Sequence, residues 1–327
     1  MTVKKQVLAL LEQNRGTAKS GQALADALSV SRVAVWKAVQ ALRAEGYPIE
    51  AGTNKGYWLQ ADSDLLSQEG VRVHLPGALQ DIPILVYDTV TSTNTVAKRL
   101  LTEGEKAPAV VLADSQTQGR GRLGRSFFSP ARTGLYLSIL LRPKGDMEAL
   151  SRITIAAAVA VAEAIEALTE LKPQIKWVND LFLDGKKICG ILSEAISDFE
   201  SGRVESVVVG IGVNVKAPEE GFPLELREIA GGLKAPSGLT RNHLAAEIIS
   251  RFLSWMERLS DPMLLEAYRS RSFLLGQEIR YEWQGREETG RAEAIDEQGR
   301  LLVRLPDGTS RSLRSGEVTV CGWHKDR

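Results

Sequence analysis

LFLDGKKICGIL, residues 181–192, holds two apolar runs separated by Asp184-Gly185, the dipeptide of a two-residue turn between antiparallel strands. Strands joined that directly do not belong to a doubly wound parallel sheet, whose connections are helical crossovers. The flanking sequence continues the pattern. IKWV (175–178) precedes it and VESVVVGIGVNV (204–215) follows, while ILVYD (84–88), AVVLADS (109–115) and LYLSILLR (135–142) stand earlier in the chain. Helical signals fall at 95–103, at the Ala-rich stretch 150–171, and at 241–259 and 262–270. Residues 81–272 therefore read as α+β, a mixed or antiparallel β-sheet packed by helices.

The two ends read differently. Val7, Leu8, Leu10 and Leu11 form one helical stripe. Ser20 is placed to cap a second helix ending at Leu28, and a third runs from Arg32 to about Glu45 with Val35, Val39 and Leu42 inward. IEAG, TNKG and YWLQ then mark a hairpin. Three helices followed by a hairpin, residues 1–62, is the order of a winged helix-turn-helix. Residues 63–80 read as a linker. Residues 273–327 return to short strands with Gln298-Gly299 and Asp307-Gly308 at turns, a small all-β unit. The whole is an α+β multidomain chain.

Composition narrows the chemistry. The chain has 327 residues, with 41 Lys and Arg balanced by 41 Asp and Glu, so any nucleic-acid contact must be local. Two cysteines (Cys189, Cys321) and three isolated histidines (His74, His243, His324) argue against a disulfide scaffold and a Cys- or His-based metal site. No apolar run reaches the ~18 residues of a membrane span, and no signal peptide is legible. The expectation is a soluble, cytoplasmic protein without a membrane partner.

Local charge does appear at the N-terminus. Residues 1–62 carry eight Lys/Arg against five acids, a net of +3. In a helix-turn-helix the start of the second motif helix enters the major groove. Here that start offers Ser31, Arg32, Val33, Trp36 and Lys37, with Gly21 opening the preceding helix and Lys55 at the tip of the wing. Arg32 and Lys37 suit phosphates or a guanine edge. The competing reading is a helical interaction domain in which Trp36 is simply core.

QTQGRGRLGRSFFSP, residues 116–130, is the most informative stretch for chemistry. Between Ser115 and Gly145 lie six basic residues (Arg120, Arg122, Arg125, Arg132, Arg142, Lys144) and no acid. Gly119 and Gly121 interleave with Arg120 and Arg122, so backbone N–H groups and guanidinium forks can converge on an anion. Gly119, Gly121 and Gly124 also match G-x-G-x-x-G, but Pro130 and Gly134 exclude the helix a dinucleotide fold requires. A polyphosphate loop is the better reading. KWVND (176–180) and Lys187 add polar groups at strand ends. Alone, Asp180 also suits a turn cap, Lys187 a solvated hairpin and Ser92-Thr93-Asn94 a plain N-cap.

Together, STN (92–94), QTQGRGRLGR (116–125), KWVND (176–180), KICGIL (187–192) and GIGVNV (210–215), in this order behind a winged helix-turn-helix, resemble the bifunctional biotin–protein ligases that double as biotin operon repressors. The resemblance spans nearly the whole chain and implies an SH3-like C-terminal domain. It implies that biotin and ATP form biotinyl-5′-adenylate, and that the biotinyl group passes to a lysine of a biotin carboxyl carrier protein. The adenylate-bound form would be a homodimer that represses at operator DNA. Carried over, Ser92, Thr93, Asn94, Gln116, Arg120, Gly121, Arg122 and Lys187 would bind biotin. Arg120, Arg122, Arg125, Phe127, Asn179, Asp180 and Lys187 would bind ATP or the adenylate. Lys187, Arg122 and Asp180 would be catalytic, with Mg2+ accompanying ATP and no protein metal site. The chain departs from the common pattern at Val178 (often proline), Leu123 (often arginine) and Phe127 (often tryptophan). The alternative is a biotin-sensing repressor without ligase activity.

Overall fold

The computed structural model describes residues 1–143, 149–197, 204–234, 236 and 238–322. Lys144 and His324, both counted above, lie outside the described residues. Three helices open the chain: α1 (Val3–Gln13), α2 (Gly21–Leu28) and α3 (Arg32–Ala44). Each begins on a side-chain cap, with Thr2, Ser20 and Ser31 accepting from the N–H of Lys5, Ala23 and Ala34, so the sequence itself sets where each helix starts. Val7, Leu11, Leu24, Val35, Val39 and Leu42 form their shared core. Strands β1 (Ile49–Gly52) and β2 (Gly56–Leu59) pair antiparallel, and the turn between them carries Lys55. This is the expected winged helix-turn-helix.

The segment 63–80 differs from its reading as a linker. It contains the short helix α4 (Gln68–Arg72), capped by Ser67, and buries Val71 and Leu75. Asp64 is held by Arg241, whose backbone N–H donates to Oδ1 at 2.7 Å and whose Nε donates to Oδ2 at 3.1 Å. Asn242 Nδ2 donates to the Leu65 carbonyl at 2.9 Å. These partners lie 177 residues away, so nothing adjacent in the sequence marks the segment as anchored.

The central unit contains β3 (Ile84–Val90), α5 (Thr93–Thr102), β4 (Ala109–Gln116), β5 (Gly134–Leu141), α6 (Ala149–Leu168), β6 (Gln174–Lys176), β7 (Asp180–Leu183), β8 (Lys186–Ser197), β9 (Val204–Asn214), α7 (Arg241–Glu257) and α8 (Pro262–Arg271). Its seven strands run in the order β3-β4-β5-β9-β8-β7-β6. Only β3 and β4 are parallel, so the sheet is mixed, and the Asp184-Gly185 turn joins β7 to β8 as expected. Residues 156–162 of α6 are wholly shielded; a helix apolar all round must be covered on every side, and its alanines let it pack against both the sheet and α7.

Strands β10 (Glu278–Trp283), β11 (Arg286–Ile295), β12 (Leu301–Arg304), β13 (Ser310–Leu313) and β14 (Val318–Val320) form a separate antiparallel sheet in the order β13-β12-β11-β10-β14. Its buried Ile279, Ile295, Leu301 and Val303 are continuous with the central core. Trp177 Nε1 donates to the Gly299 carbonyl at 3.0 Å, tying this unit to the strand end that carries KWVND. No helix among the described residues is long and apolar enough to cross a membrane.

Where α4 meets α7, His74 and His243 stack with ring centroids 4.1 Å apart. His74 keeps one side open to solvent; partial desolvation, then the His243 and Arg15 charges, lowers it to about 4. Burial likewise lowers His243, against the pull of Glu247. An unfolded histidine titrates near 6.5, so between that value and the lowered ones the unfolded chain binds protons that the folded chain does not. Stability from this pair is complete above about pH 6.5 and declines as pH falls toward 4. Thermal melts at pH 7.5 and 5.0 should show a drop that is smaller in the His74→Gln, His243→Gln double variant; equal drops would refute the assignment.

Candidate active site

The register of β8 and β9 lays out the site. Gly210, Ile211 and Gly212 of β9 pair with Leu192, Ile191 and Gly190 of β8, and Asp180 of β7 pairs with Gly190. These residues line a cleft of about 400 Å³. With a rise of about 3.3 Å per residue, the Leu192–Gly210 pair lies some 7 Å along the strands from the Gly190–Gly212 pair. The two ends of the cleft differ in chemistry.

At the Leu192–Gly210 end the start of α5 supplies hydrogen-bonding groups. Thr93 N–H donates to Gln116 Oε1 at 2.9 Å, and Gln116 Nε2 donates to Ser129 Oγ at 2.9 Å. Asn94 lies over Gly210 so closely that an added Cβ there would sit 2.2 Å from its Oδ1, so only glycine admits the amide. Ser92 stands at the N-cap position of α5 and makes no capping hydrogen bond, which removes the plain N-cap reading.

At the other end the groups are charged. Lys187 Nζ pairs with Asp180 Oδ2 at 2.7 Å, and Asn179 Nδ2 donates to Asp180 Oδ1 at 2.8 Å. Arg122 Nη1 donates to Asn179 Oδ1 at 2.8 Å. The loop that brings Arg122 here folds on itself: the Gly121 N–H bonds the Arg125 carbonyl at 2.7 Å and the Phe127 N–H bonds the Gly119 carbonyl at 2.8 Å. No helix follows, which disposes of the dinucleotide reading. The Phe127 ring lies on Gly190 and Gly212, and a Cβ on Gly212 would come within 2.6 Å of it.

All twelve residues singled out for the ligand, from Ser92, Thr93 and Asn94 through Gln116, Arg120, Gly121, Arg122, Arg125 and Phe127 to Asn179, Asp180 and Lys187, line this one cleft. One part of the charge argument needs correction. Arg132 and Arg142 do not reach the cleft, and Arg125 is not uncompensated, since its guanidinium makes two 2.6 Å contacts with Glu317. The local charge density seen in the sequence thus overstates what a ligand meets, because strand β5 carries Arg142 away from the loop.

Other residues of the cleft carried weaker signals. Lys176 lines it beside the ring of Phe182. Burial lowers its pKa, opposed by Asp180 and reinforced by Lys187; its place in KWVND was the available hint. Glu317 and its neighbours through Val320 wall one side, and nothing in the sequence linked the C-terminal strands to the cleft. Cys189 is buried among apolar side chains, and burial pushes its thiol pKa up, so it is no nucleophile. Among the described residues no group of three or more His, Cys, Asp or Glu converges as metal ligands do.

A second surface lies on the N-terminal unit. Ser31, Arg32, Val33, Trp36 and Lys37 are all exposed, Val33 at 62% and Trp36 at 52%, so Trp36 is not core. Ser31 Oγ caps Ala34 N–H, which leaves its own proton free to donate. Lys55 projects from the wing and Gly21 opens α2 beside Tyr57.

Comparison with known proteins matches each unit. Residues 86–214 match the biotin/lipoate A/B protein ligase family, residues 3–58 an HTH domain, and residues 274–320 the biotin protein ligase C-terminal domain. The bifunctional ligase/repressor BirA of Bacillus subtilis (strain 168) is 34% identical over 316 residues, covering 95% of this chain and 96% of that protein. BirA of Escherichia coli (strain K12) is 29% identical over 98% of this chain and 97% of that protein. The biotin protein ligase of Aquifex aeolicus, solved with biotin and ATP, superposes with a TM-score of 0.61 at 28% identity, over 72% of this chain and 97% of that one.

Proposed function

This chain belongs to the biotin–protein ligases, in their bifunctional ligase/repressor form, and from that premise we propose how its cleft performs the reaction: biotin lies along β8 and β9 with its ureido ring at Thr93 and Gln116 and its carboxylate at Lys187. The observation that carries this reading is the polarity of the cleft, a hydrogen-bonding pole at one end and Lys187, Asp180, Asn179 and Arg122 at the other.

The enzyme joins biotin and ATP, with release of pyrophosphate, and passes biotin to a protein lysine. In the first step a carboxylate oxygen attacks the α-phosphorus, the bond from that phosphorus to the bridging oxygen breaks, and pyrophosphate leaves. No protein nucleophile is required. Two anions must be brought together and the growing charge on the phosphate oxygens neutralised. Lys187 does so from a fixed position, because Asp180 holds its ammonium group. Arg122, braced on Asn179, binds the phosphate and folds the loop over it, with Arg120, Gly121, Arg125 and Phe127 completing the cover. Magnesium would arrive bound to the ATP phosphates and supply further charge neutralisation there, beside Lys187 and Arg122.

In the second step the carrier protein's lysine amine attacks the acyl carbon and AMP departs. A lysine with pKa about 10.4 is mostly charged at neutral pH, and Asp180 guides the proton away. The adenylate is a mixed anhydride and survives only if water is kept out. The adenylate-loaded chain pairs as a homodimer and places two α3 helices on operator half-sites. Dimerisation matters because a net charge of +3 per DNA-binding unit neutralises few phosphates.

The test mixes the purified chain with biotin and MgATP. Biotin-dependent pyrophosphate release and a bound biotinyl-adenylate by mass spectrometry are expected, and the loaded protein should retard biotin operator DNA. Biotin binding with no adenylate would overturn the ligase reading in favour of a sensor.

A further inference from the structure

Behind the Thr93–Gln116 pole runs a chain of hydrogen bonds that ends outside the cleft. Glu194, on β8, accepts from Lys98 Nζ at 2.6 Å on one carboxylate oxygen and from Asn94 Nδ2 at 2.8 Å on the other. Asn94 Oδ1 meets Ser138 Oγ at 2.6 Å, and Ser138 Oγ meets Thr93 Oγ1 at 2.8 Å. Ser138 is fully buried in β5, and Thr93 lines the cleft.

Proton counting gives this chain a direction. An ionised carboxylate and a backbone carbonyl only accept, so Asn94 turns its NH2 toward Glu194 at 2.8 Å and the Leu192 carbonyl at 3.3 Å, and its carbonyl oxygen toward Ser138. That oxygen also only accepts, so the single Ser138 proton points at Asn94. Ser138 can then only accept from Thr93, whose hydroxyl proton is thereby committed. Gln116 Oε1, which also takes the Thr93 N–H, lies farther at 3.2 Å, so the 2.8 Å contact with Ser138 claims the hydroxyl proton. Thr93 Oγ1 faces the cleft with lone pairs and no free proton. The carboxylate stays ionised: burial alone would raise the Glu194 pKa, but the hydrogen bonds from Lys98 and Asn94 and the charges of Lys98 and Arg120 outweigh it and hold it low.

We infer that Glu194 is a positioning and specificity residue: by setting the direction of the Glu194–Asn94–Ser138–Thr93 chain it makes Thr93 a pure acceptor, so that the pole selects a ligand bringing a ring N–H. The inference rests on the biotin reading of the cleft, since the ureido ring of biotin supplies such donors. Glu194 does not line the cleft and acts only through Asn94. In Glu194→Gln a glutamine NH2 turned toward Asn94 competes with the one remaining hold on that amide, the Leu192 carbonyl at 3.3 Å, so the chain can run in both directions and Thr93 can present its proton.

The test compares biotin with its two cyclic-carbamate analogues, in which a ring oxygen replaces one ureido N–H without change of size. The unaltered protein should reject one isomer strongly, because two acceptors would then face each other. Glu194→Gln should raise the Kd and KM for biotin about tenfold, the scale of one buried hydrogen bond. It should shrink discrimination against that isomer by a similar factor, with kcat and the KM for ATP unchanged. Ser138→Ala, which cuts the chain one link nearer the ligand, should do the same, and Glu194→Asp should restore most of the discrimination. Unchanged discrimination in Glu194→Gln, or a proportional loss of kcat and ATP affinity, would overturn the inference. If the unaltered protein makes no biotinyl-adenylate, the reading of the cleft itself fails and this inference with it.

Discussion

Lys187→Ala is expected to lower biotin-dependent pyrophosphate release about a thousandfold while leaving the melting temperature within a few degrees of the unaltered protein. Removing one preorganised donor that meets developing charge costs about 10²–10³ in kcat. Here the deletion does more. Asp180 is left without the partner that now stands 2.7 Å away, beside two incoming anions, so a stabilising cation is exchanged for an uncompensated carboxylate. The side chains of Lys187 and Asp180 are 29% and 20% exposed, and solvent can rehydrate Asp180 in the empty cleft, which is why folding is spared. Single-turnover release of pyrophosphate with saturating biotin and MgATP checks the prediction. A rate within tenfold of normal would remove Lys187 from the role given to it.

Arg122→Gly should separate making the adenylate from keeping it. The guanidinium is braced on Asn179 at 2.8 Å at the start of the turn that closes the loop. With it go one charge-assisted contact to the phosphate and the brace that holds the loop down. A hydrogen bond to a charged group contributes about 1.5–3 kcal/mol, so adenylate release should quicken by about 10- to 150-fold. Lys187 and Asp180 remain, so the adenylate still forms. Released biotinyl-adenylate acylates exposed lysines without guidance, and a mixture of unrelated proteins should become biotinylated. Labelling still confined to the carrier domain would contradict this account of Arg122.

The charged end of the cleft was legible from short sequence stretches. Asn179, Asp180 and Lys187 lie within nine residues, the first two where β7 begins and the third on β8 across a two-residue turn, and a turn that short brings them together. Arg120 and Arg122 reach the same place through a loop closed by its own backbone hydrogen bonds. The chain that orients Thr93 was harder to see. Nothing in the sequence singles out Ser138, one serine in the strand LYLSILLR, or Glu194, one acid following ICGIL.

What the sequence determined by itself was the local order: capped helices, alternating strands, the Asp184-Gly185 turn, and with them the three units. These follow from interactions among residues close in the chain, which leave periodic and positional marks. Tertiary structure alone decided the rest. It anchored Asp64, Leu65 and Ser67 on Arg241 and Asn242, brought Glu317 to Arg125 across 192 residues, and placed Glu194 behind Asn94 across 100. Such contacts depend on how finished sheets and helices dock, and a charged side chain in a polar stretch looks the same whether its partner is solvent or an ion buried from the far end of the chain.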